Sequence, residues 1–369
     1  MKTKQAWRKV RVEKFIIKYF NLIRIIIAIL IGVVISVVVI YIITKNPSLS
    51  FRSFFLGPFL SKGRFGDWIE LSSPIILCGL AIAIPFQAEQ FNIGAEGALF
   101  IGAAVGTAFA VSTHMPAVLH ITTVLLVAGL TGAIWGFIPG ILKAKWKTDE
   151  LVISLMMNYV AYFLGLYLIN YHFRDKAAGF LVSYKLPQTA WLAQFIPGTR
   201  IHLGVIIAFV FAILTYYFLY HTTTGYEIRT TGTNKNFARF GGINVFMVIV
   251  LSQVIGGFLA GIGGMTEVMG LSRRFNWQMS PGYGWDGVVV AIIGQNNPLF
   301  IILAALFLSY LRIGGQILNL LSDIPSEMVI VIQSLIILLI TAEAFLQRFK
   351  NRITIREAKM KEVQNESDN

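Results

Sequence analysis

Phe91-Asn92-Ile93-Gly94-Ala95-Glu96-Gly97 lies between two apolar runs and decides how the rest of the chain is read. An acid and an amide stand between glycines in surroundings otherwise suited to hydrocarbon. Ionisable groups at bilayer depth are costly and face a cavity, a partner or a pathway. A glycine-broken helix is tolerated there only where protein or water takes up its freed backbone groups. The stretch therefore implies a chain that spans a membrane and moves something across it.

The surrounding sequence agrees. The 369 residues are 56% hydrophobic and 13% charged, with a mean hydropathy of +0.70, whereas soluble domains carry roughly a quarter charged residues. Leu22–Ile43 holds 22 residues with a single charge, Arg24, and a helix needs about 20 apolar residues to span. Further spans are expected near 70–86, 91–111, 117–142, 151–171, 201–221, 246–265, 284–295, 298–313 and 328–346. The expected fold is thus an all-α polytopic membrane protein of about ten transmembrane helices, one or two of them broken or re-entrant. The short run 284–295 is the first candidate for re-entry.

Three regions follow: a basic tail 1–21, a transmembrane domain 22–346 and a charged tail 347–369. The leader lacks a small-residue cleavage site and precedes a full-length span, so it reads as a retained anchor. With both termini placed in the cytoplasm, the inner segments carry 19 Lys and Arg against 10 in the outer ones. That bias obeys the positive-inside rule. The net charge of +13 is then an orientation signal and a contact with anionic lipid, not a nucleic-acid footprint. The lone Cys78 excludes a disulfide within the chain.

Enzyme chemistry finds little support. His114, His120, His172, His202 and His221 are scattered, with no metal-ligand spacing and no Gly-x-Ser-x-Gly elbow. Gly282-Tyr283-Gly284-Trp285-Asp286-Gly287 matches the dinucleotide pattern Gly-x-Gly-x-x-Gly, but it follows no predicted strand and leads into an apolar segment. No phosphate-binding Gly-x-x-x-x-Gly-Lys-Ser/Thr occurs, so any ATP used must bind another subunit.

Small residues recur at helix-packing spacing, at Gly102/Gly106, Gly132/Gly136/Gly140 and Gly257/Gly261. Such spacing lets helix backbones approach closely, within one bundle or across a homodimer. Gly94-Ala95-Glu96-Gly97 and Gly284-Trp285-Asp286-Gly287 share the form Gly-x-acid-Gly, and each opens an apolar run. In the expected topology those runs cross in opposite directions, as inverted transporter repeats do. Glu89 and Glu267, near span ends, read as interfacial, and Glu343, near the inner end of the last span, either pairs with Arg348 or snorkels. The inner loop 225–243 carries Arg229, a glycine break at Gly232, a cap at Asn234 and the pair Gly241-Gly242. It suits either a helix lying at the membrane face or a solvated basic loop.

Three motifs together resemble one family. Asn92–Gly97, the series Arg229…Gly232-Thr233-Asn234…Ala238…Gly241-Gly242-Ile243, and Gly282–Pro298 are similar to the permeases of ABC importers for simple sugars, branched-chain amino acids and nucleosides. Gly282–Pro298 and Thr148–Tyr159 resemble the nucleoside-type branch in particular. The similarity covers residues 70–345, with departures at Thr230-Thr231, where small apolar residues are commoner, and in the basic leader. The resemblance implies a non-catalytic subunit paired with a second permease, identical or homologous. Two cytoplasmic ATPase subunits would hold ATP and Mg, and an extracellular substrate-binding lipoprotein would deliver the substrate. No cofactor or metal is expected on this chain.

On that resemblance, the segment 225–243, with Gly225, Arg229, Gly232, Asn234, Ala238 and Gly241, couples to the ATPase. Asn92, Glu96, Asn158 and Asp286 would contact substrate, with Phe91 and Trp285 stacking on a base. Glu96 and Asp286 could equally cap helix N-termini, where exposed N–H groups favour a carboxylate. A sugar such as ribose is an alternative cargo, and an ion-coupled secondary transporter is an alternative machine.

Overall fold

In the computed structural model, residues 46–341 are described, with single positions between 31 and 44. The tails 1–21 and 347–369, most of the span 22–43 and the Glu343–Arg348 pair lie outside the described residues. Eleven helices of six residues or more carry labels: α1 Lys62–Gln87, α2 Ala95–Ser112, α3 Ala117–Trp146, α4 Glu150–Tyr167, α5 Leu203–His221, α6 Thr223–Thr233, α7 Lys235–Phe240, α8 Val245–Glu267, α9 Tyr283–Ile293, α10 Pro298–Leu321 and α11 Ser326–Thr341. Among the described residues β-structure is confined to two isolated bridges, Arg174 with Ser183 and Gln194 with His202.

Seven of these helices are long and apolar enough to cross a membrane: α1 to α5, α8 and α10, counting the single π-turns that extend α4 to His172 and α8 to Ser272. The expected span at 284–295 is a shorter apolar helix, and that at 328–346 is an apolar helix over its described residues, with 342–346 outside them. The span expected to start at residue 91 starts instead at Ala95, because residues 90–93 are non-helical and Gly94 turns the chain.

Local chemistry sets the boundaries. Ser61 starts α1 by accepting from the Arg64 N–H at 3.2 Å. Asp149 starts α4 by accepting from the Leu151 and Val152 N–H groups at 2.9 and 3.3 Å. Such caps satisfy donors that a helix leaves free in its first turn. Lys147 ends α3 in the left-handed region, at φ 54°.

Two compact units divide the chain, Leu56–Gly314 and the residues on either side of it. In the second unit Thr44 donates to Asp323 at 2.5 Å, and Ser50 hydrogen-bonds Thr44 at 3.2 Å. In Leu56–Gly314, helix α1 is central, with 83% of its most apolar window buried, whereas α4 is peripheral at 22%. Only an apolar solvent tolerates the outward face of α4, which presents Tyr159, Phe163 and Tyr167.

Glycine decides the close packing of α3 on α8. A Cβ on Gly132 would strike the carbonyl of Gly257, and one on Gly136 would strike that of Gln253. Gly102 of α2 meets Gly261 in the same way. The small-residue spacing is therefore used within the chain. In lipid, close backbone approach replaces the hydrophobic drive that water would supply.

Contacts also fix the helix directions. Gly256 of α8 meets Ala81 and Pro85 of α1, while Gly263 meets Leu77, so α1 and α8 run in opposite senses. Cys78 lies against Gly287, and Gln87 donates to the Asn296 carbonyl at 3.1 Å, so α9 runs with α1. Lys143 pairs with Glu150 and Trp135 donates to the Met157 carbonyl, which sets α4 against α3. Gly132 and Gly140 meet Gly257 and Val250, which sets α3 against α8. Gly97 meets Asn158 and Gly165 meets Phe100, so α2 runs with α4 and against α9. The two Gly-x-acid-Gly motifs thus open helices of opposite sense.

Candidate functional site

The Phe91–Gly97 connection joins α1 to α2 and is clamped from α4 and α8. Asn92 donates to the side-chain oxygen of Gln253 on α8 and accepts from the Gly94 N–H at 2.6 Å. Asn158 of α4 accepts from the Gly97 N–H at 2.8 Å and donates to the Ile93 carbonyl at 3.1 Å. Ser154, also on α4, accepts from the Ile93 N–H at 3.2 Å. An amide offers both a donor and an acceptor, which is what a non-helical backbone stretch needs from its neighbours. Phe91 stacks on Phe86 with ring centroids 4.7 Å apart, yet half of its surface stays exposed.

Glu96 reaches away from its own helix. Its carboxylate accepts from the Ser280 hydroxyl, the Gly282 N–H at 2.8 Å and the Gly284 N–H at 2.5 Å. The acid of one motif therefore caps the helix opened by the other. Gly284 approaches so closely that a Cβ there would meet the Glu96 backbone. Gly282 has φ 85°, a left-handed conformation that favours glycine. The start of α9 is positioned by residues nearly two hundred places distant in the chain.

Asp286, in the first turn of α9, is buried and ion-paired with Arg312 of α10 at 2.5 Å. One of its oxygens, Oδ2, is left with no hydrogen-bond partner. Trp285 beside it is 47% exposed. A cavity of about 10 Å³, lined by Asn92, Ser154, Gln253 and Trp135 among others, lies behind the Phe91–Gly97 connection. It holds about one water.

The 225–243 segment is two short helices, not one. Asn234 ends α6 and starts α7, accepting from the Asn236 and Phe237 N–H groups at 3.0 Å. The expected cap is thus in place. Gly232 is not a break: α6 runs through it to Thr233, and a Cβ there would strike the Gln87 carbonyl. Gly225 is pressed onto the Phe218 and Leu219 carbonyls. Arg229 turns back, donating to the Leu219 carbonyl at 3.0 Å and lying 4.9 Å from the Tyr220 ring centre. Cations favour helix C-termini, and here Arg229 secures the corner between α5 and α6. Ala238 packs inward on Val245 and Ile249. Phe237, Phe240 and Gly241 face outward, Phe240 being 93% exposed.

Several groups escaped sequence reading. Arg312 lies inside an apolar run, but nothing local names Asp286 as its partner. Gln253 and Ser280 gave no signal. Glu267, expected at the interface, is buried and accepts from the Tyr283 hydroxyl at 3.1 Å. Glu89 is exposed and pairs with Lys235 at 3.2 Å. Among the described residues no cluster of three or more His, Cys, Asp or Glu could hold a metal.

Comparison with known proteins places this geometry. The family described as the branched-chain amino acid transport system permease component matches residues 65–341. A glucose ABC transporter permease protein, TsgB13 of Haloferax volcanii, is 34% identical, covering 75% of this chain and 76% of its own. The guanosine ABC transporter permease protein NupP of Bacillus subtilis is 36% identical, covering 77% and 82%. The nucleoside ABC transporter permease protein NupB of Lactococcus lactis is 30% identical, covering 82% and 85%. No solved structure matches the chain. With most of its length matched and seven apolar helices of spanning length among its described residues, the chain is a multi-pass membrane protein belonging to the ABC transporter permease family of branched-chain amino acid transport systems.

Proposed function

We propose that the chain forms the substrate path of an ATP-driven nucleoside importer in the cell membrane, with both termini in the cytoplasm. The observation that carries this reading is the likeness to guanosine and nucleoside permeases over more than four fifths of each relative. The chain itself hydrolyses nothing: ATP and Mg belong to two partner ATPase subunits. A second permease, identical or homologous, completes the path, and an extracellular lipoprotein delivers substrate.

The site residues take distinct parts in this proposal. Phe91 and Trp285 offer half-exposed aromatic faces to a base. Asn92, Glu96, Asn158 and Asp286 hold the two broken-helix starts that form the wall. Coupling runs through α6 and α7. Phe237, Phe240 and Gly241 meet the ATPase, while Gly225, Arg229, Gly232, Asn234 and Ala238 fix the two helices to the bundle. Moving a population from 1:99 to 99:1 takes about 5.5 kcal/mol of differential binding, and closure of the ATPase pair on ATP supplies it.

The likeness to a glucose permease favours one second reading, import of a simple sugar such as ribose. Uptake of labelled guanosine into vesicles carrying the whole complex separates the two. Unlabelled adenosine and uridine in excess should abolish uptake, and glucose and ribose should leave it intact. Sugar uptake without nucleoside uptake would reverse the assignment.

A further inference from the structure

The end of α1 touches both α6 and the turn that follows α9. Gln87 is the last residue of α1. Its carbonyl lies so close to Gly232 of α6 that a Cβ there would strike it. Its side-chain amide donates to the Asn296 carbonyl at 3.1 Å, in the turn that joins α9 to α10. One residue thus meets α6 with its backbone and the α9 turn with its side chain.

The parts on either side of this contact are stiff. Beyond Gln87, the fully buried Gln90 gives its N–H to the Pro85 carbonyl at 2.9 Å and its side-chain amide to the Ala88 carbonyl at 3.0 Å. The Phe91 N–H donates to Glu150 at 3.2 Å, and Lys143 pairs with the same carboxylate. In the turn after α9, the N–H groups of Gln295, Asn296 and Asn297 donate to the Ile292, Ala291 and Gly294 carbonyls at 3.0, 2.8 and 2.9 Å. Gln295 and Asn296 are both left-handed, at φ 52° and 55°. Strained backbone of this kind persists only where its surroundings hold it. Helix α9 has 11 residues, a length of about 16 Å, and contains no proline to kink it. A second link from the α7 side is weaker. Lys235 pairs with Glu89 at 3.2 Å, but the Glu89 side chain is 67% exposed, and exposed ion pairs contribute little.

We propose that Gln87 transmits displacement of α6 to α9. A shift of α6 presses on the Gln87 carbonyl, and the Gln87 amide carries that shift to the Asn296 turn. Helix α9 is held at its start by the Glu96 carboxylate and at its finish by Gln87, so moving the finish tilts the helix about the Glu96 junction. Gln87 is a positioning residue that acts through α9, the half-length helix bearing Trp285 and Asp286. This rests on the reading of α6 and α7 as the segment that meets the ATPase.

Nucleoside uptake counted per ATP hydrolysed, by the full complex in proteoliposomes, tests the proposal. Gln87→Leu keeps the carbonyl and most of the bulk but removes the donor. The complex should keep its ATPase subunits and hydrolyse ATP at the wild-type rate. Uptake per ATP should fall about fivefold or more, the shift that loss of one hydrogen bond makes in a two-state equilibrium. Gln87→Glu sets an acceptor against the Asn296 carbonyl and should uncouple at least as far. Gln87→Lys returns a donor at similar reach and should recover most of the coupling. Wild-type uptake per ATP in Gln87→Leu would overturn the proposal, and so would a fall in Gln87→Lys equal to that in Gln87→Leu. The wild-type complex assayed alongside keeps the two readings apart: ATP-driven uptake there, with Gln87→Leu equally coupled, removes this inference alone.

Discussion

Removing the Glu96 carboxylate should loosen α9 and stop transport together. In Glu96→Ala, the Ser280 hydroxyl and the Gly282 and Gly284 N–H groups lose their acceptor. A buried donor left unsatisfied costs about 1–3 kcal/mol. Ser280 can rotate toward another partner and Gly282 is only part-buried, so the expected loss is about 3–5 kcal/mol rather than the full sum. Glu96→Gln keeps one acceptor oxygen but turns an amide N–H toward one of the glycine donors. It should cost about 1–3 kcal/mol. Melting of the complex, followed by size-exclusion after a temperature series, should therefore rank wild type above Glu96→Gln above Glu96→Ala. ATP-dependent uptake should fall in the same order. A Glu96→Ala complex that melts like wild type yet fails to transport would refute the anchoring role and leave substrate contact as its sole function.

Further outcomes follow from the same geometry. Arg312→Ala strands Asp286 as a buried unpaired charge and should destabilise by about 3–5 kcal/mol; the double variant Arg312→Ala/Asp286→Asn should recover part of that loss in the same melt. Gly132→Leu drives a side chain into the Gly257 carbonyl and should prevent assembly of folded protein, read as loss of the monodisperse chromatographic peak. Phe240→Asp changes a side chain that is 93% exposed; melting of the isolated permease should stay unchanged while ATPase subunits no longer co-purify with it. Arg229→Glu removes the grip on the Leu219 carbonyl and should abolish coupled uptake while membrane insertion, measured by fractionation, is retained.

What the sequence made legible was the part of the fold set by local chemistry. Apolar runs gave the helices, Asn234 announced its cap, and the spaced glycines announced close packing. The choice between packing within the bundle and packing across a dimer needed the partner surface. That surface proved to be α3 against α8. The Gly-x-acid-Gly echo was readable as a pattern, but its meaning depends on a contact between Glu96 and Gly284, which no local rule connects. Glu267 was misread for a similar reason. Its place near a span end suggested the interface, yet the Tyr283 hydroxyl that it accepts from arrives from another helix. Gly232 looked like a breaker because glycine weakens helices. The residue is there for the close approach of Gln87, and the helix tolerates it.

The central claim is that nucleoside movement through this chain is driven by ATP hydrolysed on a partner. Guanosine uptake into proteoliposomes containing both permeases, the ATPases and the binding protein measures it most directly. The account predicts uptake that survives collapse of the proton and sodium gradients and vanishes when the ATPase subunits carry an inactive nucleotide site. Uptake by the permease alone, driven by an ion gradient and indifferent to ATP, would contradict it.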